Sequence, residues 1–153
     1  MSRSRARLAL ALAAALVVGG GLAGCSHASY SLQTGQCFNA SANTLTSSTD
    51  VNDLSAVSCS HNHNSEVVGV HKLPKGDYPG QDVLVKQAQS DCEKDFRDYV
   101  GIGYEESTYD LYPLVPTEST WKMDSSRSIM CVALSLPPTK GSAKDRGDSA
   151  KQH

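Results

Sequence analysis

A short stretch of the sequence concentrates side chains that bind metals or transfer protons. It reads Cys59-x-His61-x-His63, and Glu66 and His71 follow closely. Imidazole groups suit zinc and copper, so one interpretation is a metal- or small-molecule-binding site built from His61, His63 and His71. A spacing of one residue is unusual for structural zinc, however, and Cys59 cannot bind a metal if it forms a disulfide. We therefore predict no metal and no cofactor, and keep the three histidines as the alternative.

The other interpretation of His63 and Glu66 is structural. A buried charge needs partners, and Glu66 can accept a hydrogen bond from His63 or from Arg127. Such a bond would fix the loop after Cys59 against the strand that carries the last cysteine. Trp121 is predicted to be a core or edge aromatic under the second of two disulfides, although Trp is also common at binding hot spots. We favour the structural roles for all of these residues.

The sequence lacks the usual patterns of a catalytic site. It has no Gly-x-Ser-x-Gly turn to expose a serine nucleophile and no Cys-x2-Cys pair for thiol redox chemistry. Gly101-Ile102-Gly103 lacks the third glycine and the preceding strand of a phosphate-binding loop. We expect that the protein is not an enzyme.

The first 24 residues have the features of an export signal. Arg3, Arg5 and Arg7 precede an apolar run over residues 8–18, and three glycines follow. The apolar stretch from Leu8 to Ala23 has 16 residues. It is therefore shorter than the roughly 20 residues that a membrane-spanning helix needs. We expect residues 1–24 to be a cleaved signal peptide.

The end of this segment predicts a lipid anchor. Leu22-Ala23-Gly24-Cys25 resembles the lipobox of bacterial lipoproteins. In that scheme cleavage follows Gly24, and Cys25 becomes the N-terminus and carries the acyl chains. Two or more chains anchor a protein durably where one does not. We expect residues 25–33 to form a lipidated tether at the extracytoplasmic face of the cell membrane.

Charge and cysteine content agree with export. Removing the signal takes away three basic residues, which leaves 11 basic and 16 acidic groups, a net charge of −5. This charge argues against a nucleic-acid partner. Apart from Cys25, the cysteines are Cys37, Cys59, Cys92 and Cys131, and an even number in an exported domain indicates two disulfides. Of three possible connectivities we favour Cys37–Cys59 and Cys92–Cys131, because each joins segments that a small α+β domain brings together.

Hydrophobic periodicity predicts one main helix over about residues 81–100. Apolar side chains recur at helical spacing on one face, namely Leu84, Ala88, Cys92, Phe96 and Tyr99. Asp82 is the predicted N-cap, and Gly101 supplies the permissive residue expected just past the end.

Strand patterns complete a small single-domain α+β fold with an antiparallel or mixed sheet under this helix. Strands are predicted over residues 66–70, paired with 54–59, and over 107–115. Residues 128–136 alternate with apolar residues on both faces, which places this strand centrally in the sheet. Residues 41–53 are predicted to be an exposed loop, and residues 137–153 a disordered tail.

An ordered set of motifs resembles the actinobacterial septum-formation domain. The set consists of Gly35-x-Cys37-Phe38, Val57-x-Cys59-x3-His63-x2-Glu66-Val67, Cys92, Tyr99-Val100-Gly101, Trp121 and Arg127-x3-Cys131. The likeness covers roughly residues 32–136, with Ser125-Ser126 where the family usually has Gly-Asp. It implies a small disulfide-bearing extracytoplasmic module associated with cell division, without an established activity or ligand. We expect residues 34–136 to bind another envelope or division protein.

Overall fold

The computed structural model describes residues 32–46, 54–123 and 127–151. The predicted signal peptide, Cys25 and most of the tether therefore lie outside the described residues. Within the described ranges, no helix is both long and apolar enough to cross a membrane.

The described residues form a four-stranded sheet with one long α-helix and two short ones. In chain order the elements are β1 (Cys37–Phe38), α1 (Ala42–Thr46), β2 (His63–Lys72), α2 (Gln81–Val100), β3 (Tyr109–Leu114), α3 (Glu118–Trp121) and β4 (Ser128–Thr139). The strand order is β1-β2-β4-β3, and every pairing is antiparallel. The prediction of a small α+β domain with one main helix and two disulfides is confirmed.

Helix α2 has the predicted bounds because its apolar spacing and its stop signal agree. Its buried side chains recur every fourth residue, from Leu84 to Val100. Gly101 takes a left-handed conformation with φ 96°, and its amide donates to the Arg97 carbonyl. The predicted N-cap, Asp82, is wrong: Gly80 is the N-cap, and it makes no side-chain hydrogen bond. Asp82 lies in the first turn, where its negative charge interacts favourably with the positive end of the helix dipole.

Strand β4 is central, as its two apolar faces predict. One face, with Ile129, Cys131 and Ala133, packs in a core cluster with α2 residues such as Phe96. The opposite face, with Met130, Val132 and Leu134, forms a second cluster with Leu32, Phe38 and Leu45. The sheet is therefore covered on both sides, by α2 on one and by the N-terminal segment on the other.

Strand pairing differs from the sequence prediction. Strand β2 lies between β1 and β4, and the segment over residues 54–59 contributes only an isolated bridge from Val57 to Cys37. Within the predicted loop over residues 41–53, a one-turn helix forms at Ala42–Thr46, and residues 47–53 lie outside the described part of the chain. Local patterns identify strands, but pairing is decided by contacts between distant segments.

The prediction of a disordered tail over residues 137–153 is wrong for residues 137–151. Strand β4 continues to Thr139, a short 3-10 helix forms at Gly147–Ala150, and Lys151 bridges Ser107. Ala143 and Ala150 are buried in the core cluster beside α2. Small side chains that fill narrow gaps leave no apolar run in the sequence, so composition did not reveal this segment. We call residues 140–151 the C-terminal segment.

Candidate functional site

Two disulfides connect the elements around the site. Cys37–Cys59 links β1 to the turn before β2, and Cys92–Cys131 links α2 to β4. The predicted pairing is confirmed. Three of the four cysteines are fully buried, and Cys59 is partly exposed.

Glu66 lies at the centre of a buried polar network. Its side chain is only 2% exposed. One carboxylate oxygen accepts from the Tyr99 hydroxyl at 2.6 Å and from the Ser142 hydroxyl at 2.5 Å, and the other accepts from the Ala143 amide at 2.6 Å. The prediction of a buried, hydrogen-bonded Glu66 is right, but its predicted partners are wrong. The donors come from α2 and from the C-terminal segment, not from His63 or Arg127.

His63 and Arg127 take other structural roles. The His63 ring is buried, and its Nδ1 lies 2.9 Å from the His61 carbonyl oxygen. The Arg127 carbonyl accepts a hydrogen bond from the Leu73 amide just before β4 begins. Each residue therefore helps to align an end of a strand.

Trp121 is buried at the end of α3, as predicted. Its indole N–H donates to the Gly76 carbonyl at 2.8 Å, and its ring meets Tyr78 edge-on at 5.6 Å. Trp121 belongs to neither core cluster, so its predicted position under the second disulfide is wrong. It fixes the loop before α2, and its ring is not available for surface recognition.

The Tyr99 hydroxyl is strongly held in its protonated form. Burial first, and then the hydrogen bond to Glu66, raise the pKa of Tyr99 from 10.0 to about 12. The phenolate would lie beside a carboxylate, so the neutral phenol is the form that the fold needs.

This network predicts a loss of stability in strong base. Below pH 10 both the folded and the unfolded chain keep the Tyr99 proton, so its contribution is complete. Between pH 10 and pH 12 the unfolded chain loses the proton first, so the free energy of unfolding should fall as the pH rises. In urea unfolding across this pH range, the free energy of unfolding should fall less steeply for Tyr99→Phe than for the unmodified protein. Parallel slopes for the two proteins would contradict the assignment.

An open cleft of about 310 Å³ lies between β2 and α2. Its lining is Thr34, Val68, Gly69, Val70, His71, Asp95, Asp98 and Tyr99. Across it the His71 Nε2 and an Asp95 carboxylate oxygen lie 2.5 Å apart. Asp98 is paired with Lys94 one turn earlier on the helix. The charged groups of the cleft are therefore engaged in pairs, His71 with Asp95 and Asp98 with Lys94.

Gly69 is the residue that allows Asp95 to reach β2. It lies at an irregularity in the pairing of β2 with β4, and a Cβ at this position would come within 1.7 Å of the Asp95 carboxylate. In the sequence this glycine interrupts a strand pattern without an evident turn. An isolated glycine inside a strand often marks a bulge or a close approach by another group, so Gly69 was a sequence signal for this contact.

We expect Gly69→Ala to destabilise the domain by about 1–3 kcal/mol, the usual range for overpacking. The added methyl group would force Asp95 away from His71 and push α2 off the sheet. In the double variant Gly69→Ala/Asp95→Ala the penalty should be smaller than the sum of the single ones. Chemical denaturation of the four proteins measures this coupling, and strict additivity would contradict the contact.

The three predicted histidines do not form one site. His61 is exposed in the turn before β2, His63 is buried at the start of β2, and His71 lies near its other end. Eight residues of extended strand separate the last two by roughly 26 Å. Among the described residues, the groups close enough to share an ion are Cys37 with His63 and Glu66, and His71 with Asp95 and Cys131. Each group contains a disulfide cysteine, so neither offers a complete ligand set in the oxidised protein.

The family model described as septum formation matches residues 34–153. The chain belongs to the septum-formation family. The septum-formation domain therefore includes the C-terminal segment, beyond the predicted end at residue 136. No curated protein and no solved structure shows a significant match to the chain.

Proposed function

We propose that this septum-formation domain is a lipid-anchored interaction module on the extracytoplasmic face of the cell membrane. It binds another envelope or division protein and acts in septum formation without catalysis. The observation that carries the proposal is the family match over residues 34–153, on a chain with a lipobox-like sequence at Cys25.

Two disulfides support the extracytoplasmic location. Disulfides persist in oxidising compartments and are rare in the cytosol, where thiols are kept reduced. A domain of this size also gains much of its stability from such bridges, because its core is small.

The tether would hold the domain close to the bilayer. Leu32 is 2% exposed and belongs to a core cluster, so it is already part of the folded domain. The seven residues from Cys25 to residue 31 reach at most about 25 Å when fully extended. Thr34 lines the cleft only two residues after Leu32, so the cleft lies close to the point where the tether joins the domain.

The polar groups of the cleft are held in place by one another. In this cleft the His71 imidazole and the Asp95 carboxylate bind each other, and the Tyr99 hydroxyl donates to Glu66. Such pairs keep the surface in one shape, which suits recognition of a protein partner.

Site-specific photocrosslinking tests the binding face. Asp98 is 62% exposed at the rim of the cleft, while Asp110 is exposed on the edge strand β3, which β4 separates from β2. A photoreactive amino acid at position 98 in the full-length chain should capture an envelope or division protein in living cells. The same group at position 110 is the matched control. Equal labelling from both positions, or none from position 98, would contradict the proposed face.

Microscopy tests the anchor and the place of action. A fluorescent fusion should be enriched at division sites, and Cys25→Ala should lose stable membrane attachment. A uniform envelope signal would contradict the link to the septum, and unchanged membrane fractionation of the Cys25 variant would contradict the lipid anchor.

A further inference from the structure

The first disulfide lies beside two buried metal-binding side chains. The Cys37 sulfur, a ring nitrogen of His63 and a carboxylate oxygen of Glu66 all lie within 4.8 Å of one another. These residues are 0%, 2% and 2% exposed, respectively. Thiolate, imidazole and carboxylate are the three ligand types that zinc takes in proteins, and three of them with one open position form a complete site.

The His63 ring keeps one nitrogen with an open lone pair. Its Nδ1 lies 2.9 Å from the His61 carbonyl oxygen, which can only accept, so Nδ1 carries the proton and Nε2 holds the lone pair. Among the described residues, no hydrogen bond reaches this Nε2. Metal-binding histidines usually donate their second ring N–H to a backbone carbonyl in this way, which fixes the tautomer and the ring orientation.

Glu66 also keeps capacity for a further ligand. A carboxylate offers about four acceptor positions. The hydroxyls of Tyr99 and Ser142 use one oxygen, and the Ala143 amide uses a single position on the other. One acceptor position therefore remains, and the three existing bonds hold the carboxylate in place.

We propose that Cys37, His63 and Glu66 form a zinc site that the Cys37–Cys59 disulfide closes and that reduction opens. In the oxidised protein the Cys59 sulfur occupies the bonding position at Cys37. When that bond is broken, Cys37 becomes a buried thiolate with an imidazole and a carboxylate beside it. A Zn²⁺ ion would neutralise a group that is otherwise costly to bury.

The reductant is a dithiol of the kind that exchanges disulfides. Its thiolate attacks the Cys59 sulfur, which is the partly exposed member of the bridge. The S–S bond breaks, and Cys37 leaves with the electron pair as a thiolate. The second thiol of the reductant then attacks the mixed disulfide and releases Cys59 as a thiol, and the reductant ends as a disulfide. Zn²⁺ then binds the Cys37 thiolate without a further redox change.

The second group of this kind serves as a comparison. His71, Asp95 and Cys131 also lie within 4.8 Å. There the His71 Nε2 is already bound to Asp95, and both cysteines of the bridge are fully buried. Attack by a reductant is therefore hindered, and the His71 Nε2 is already engaged by a carboxylate.

A pair of matched variants tests the proposal. Cys59→Ala and Cys37→Ala both remove the bridge, but only the first leaves a thiol beside His63 and Glu66. Titration with Co²⁺, a spectroscopic substitute for zinc, should give one tetrahedral thiolate complex in Cys59→Ala. In Cys37→Ala, and in Cys59→Ala/His63→Gln, binding should be at least about 100-fold weaker, since even supporting residues affect metal affinity by 10–100-fold. Equal affinity in the first two folded variants would overturn the proposal.

A measurement on the unmodified protein covers the case in which the variants do not fold. The mature chain is treated with a limiting amount of a dithiol, and the alkylation rates of Cys37 and Cys59 are followed by peptide mass spectrometry. Zn²⁺ should slow alkylation of Cys37 selectively, while Mg²⁺ should not. Unchanged Cys37 alkylation in the presence of Zn²⁺ would overturn the proposal.

Discussion

Replacing Glu66 by alanine is expected to lower the free energy of unfolding by about 4 kcal/mol. The substitution leaves three donors without their acceptor, namely the Tyr99 and Ser142 hydroxyls and the Ala143 amide. A buried donor without a partner costs about 1–3 kcal/mol. The two hydroxyls lie 3.4 Å apart and can partly satisfy each other, which limits the total.

Urea unfolding of Glu66→Ala and Glu93→Ala separates this effect from a simple loss of charge. Glu93 is an exposed glutamate on α2, and its replacement should change stability by no more than about 0.5 kcal/mol. The stability of Glu66→Gln should lie between those of the two alanine variants. Its side-chain amide keeps one oxygen acceptor, but its NH₂ group faces donors that then lack an acceptor. If Glu66→Ala is as stable as Glu93→Ala, the network does not stabilise the fold.

The same substitution should release the C-terminal segment. Glu66 holds the start of that segment. Further along, the Gly141 amide donates to the Cys59 carbonyl, the Asp145 amide donates to the Tyr99 carbonyl, and the Ala150 carbonyl accepts from the Thr108 amide. Hydrogen exchange of the amides over residues 140–151 should therefore accelerate more in Glu66→Ala than exchange within β4 does. Uniform acceleration across the domain would show instead that Glu66 contributes to global stability alone.

Removing the Cys92–Cys131 bridge is expected to have a comparable effect. In the chain-entropy description a bridge with this sequence separation of 39 stabilises by about 3.9 kcal/mol. The corresponding value for Cys37–Cys59, with a separation of 22, is about 3.4 kcal/mol. The double variant Cys92→Ala/Cys131→Ala loses packing as well, because both sulfurs are fully buried between α2 and β4. Small domains have only about 5–15 kcal/mol of stability, so this variant should be close to unfolding.

Thermal and urea unfolding of the two double variants check this ranking. Cys37→Ala/Cys59→Ala is the matched control, since it also removes one bridge but leaves the joint between helix and sheet intact. We expect the control to be the more stable of the two. A control that is equally or less stable would mean that loop closure and strand anchoring near β1 outweigh core packing.

Several features of this protein follow from local patterns in the sequence. Helix α2 is predicted to the residue because its apolar spacing and the glycine at its end are local properties. The central place of β4 follows from apolar residues on both faces, and the presence of two disulfides follows from the even number of cysteines. The family was also recognisable, because its cysteine and glutamate motifs occur in a fixed order.

Other features are decided only by the tertiary structure. The acceptor role of Glu66 depends on Ser142 and Ala143, which are more than 70 residues away in the chain. Burial of Ala143 depends on a gap beside α2, and separation of the histidines depends on the extended length of β2. Helix periodicity and capping act between neighbours and can be seen in the sequence. Pairing of distant polar groups appears only when the packed core brings them together.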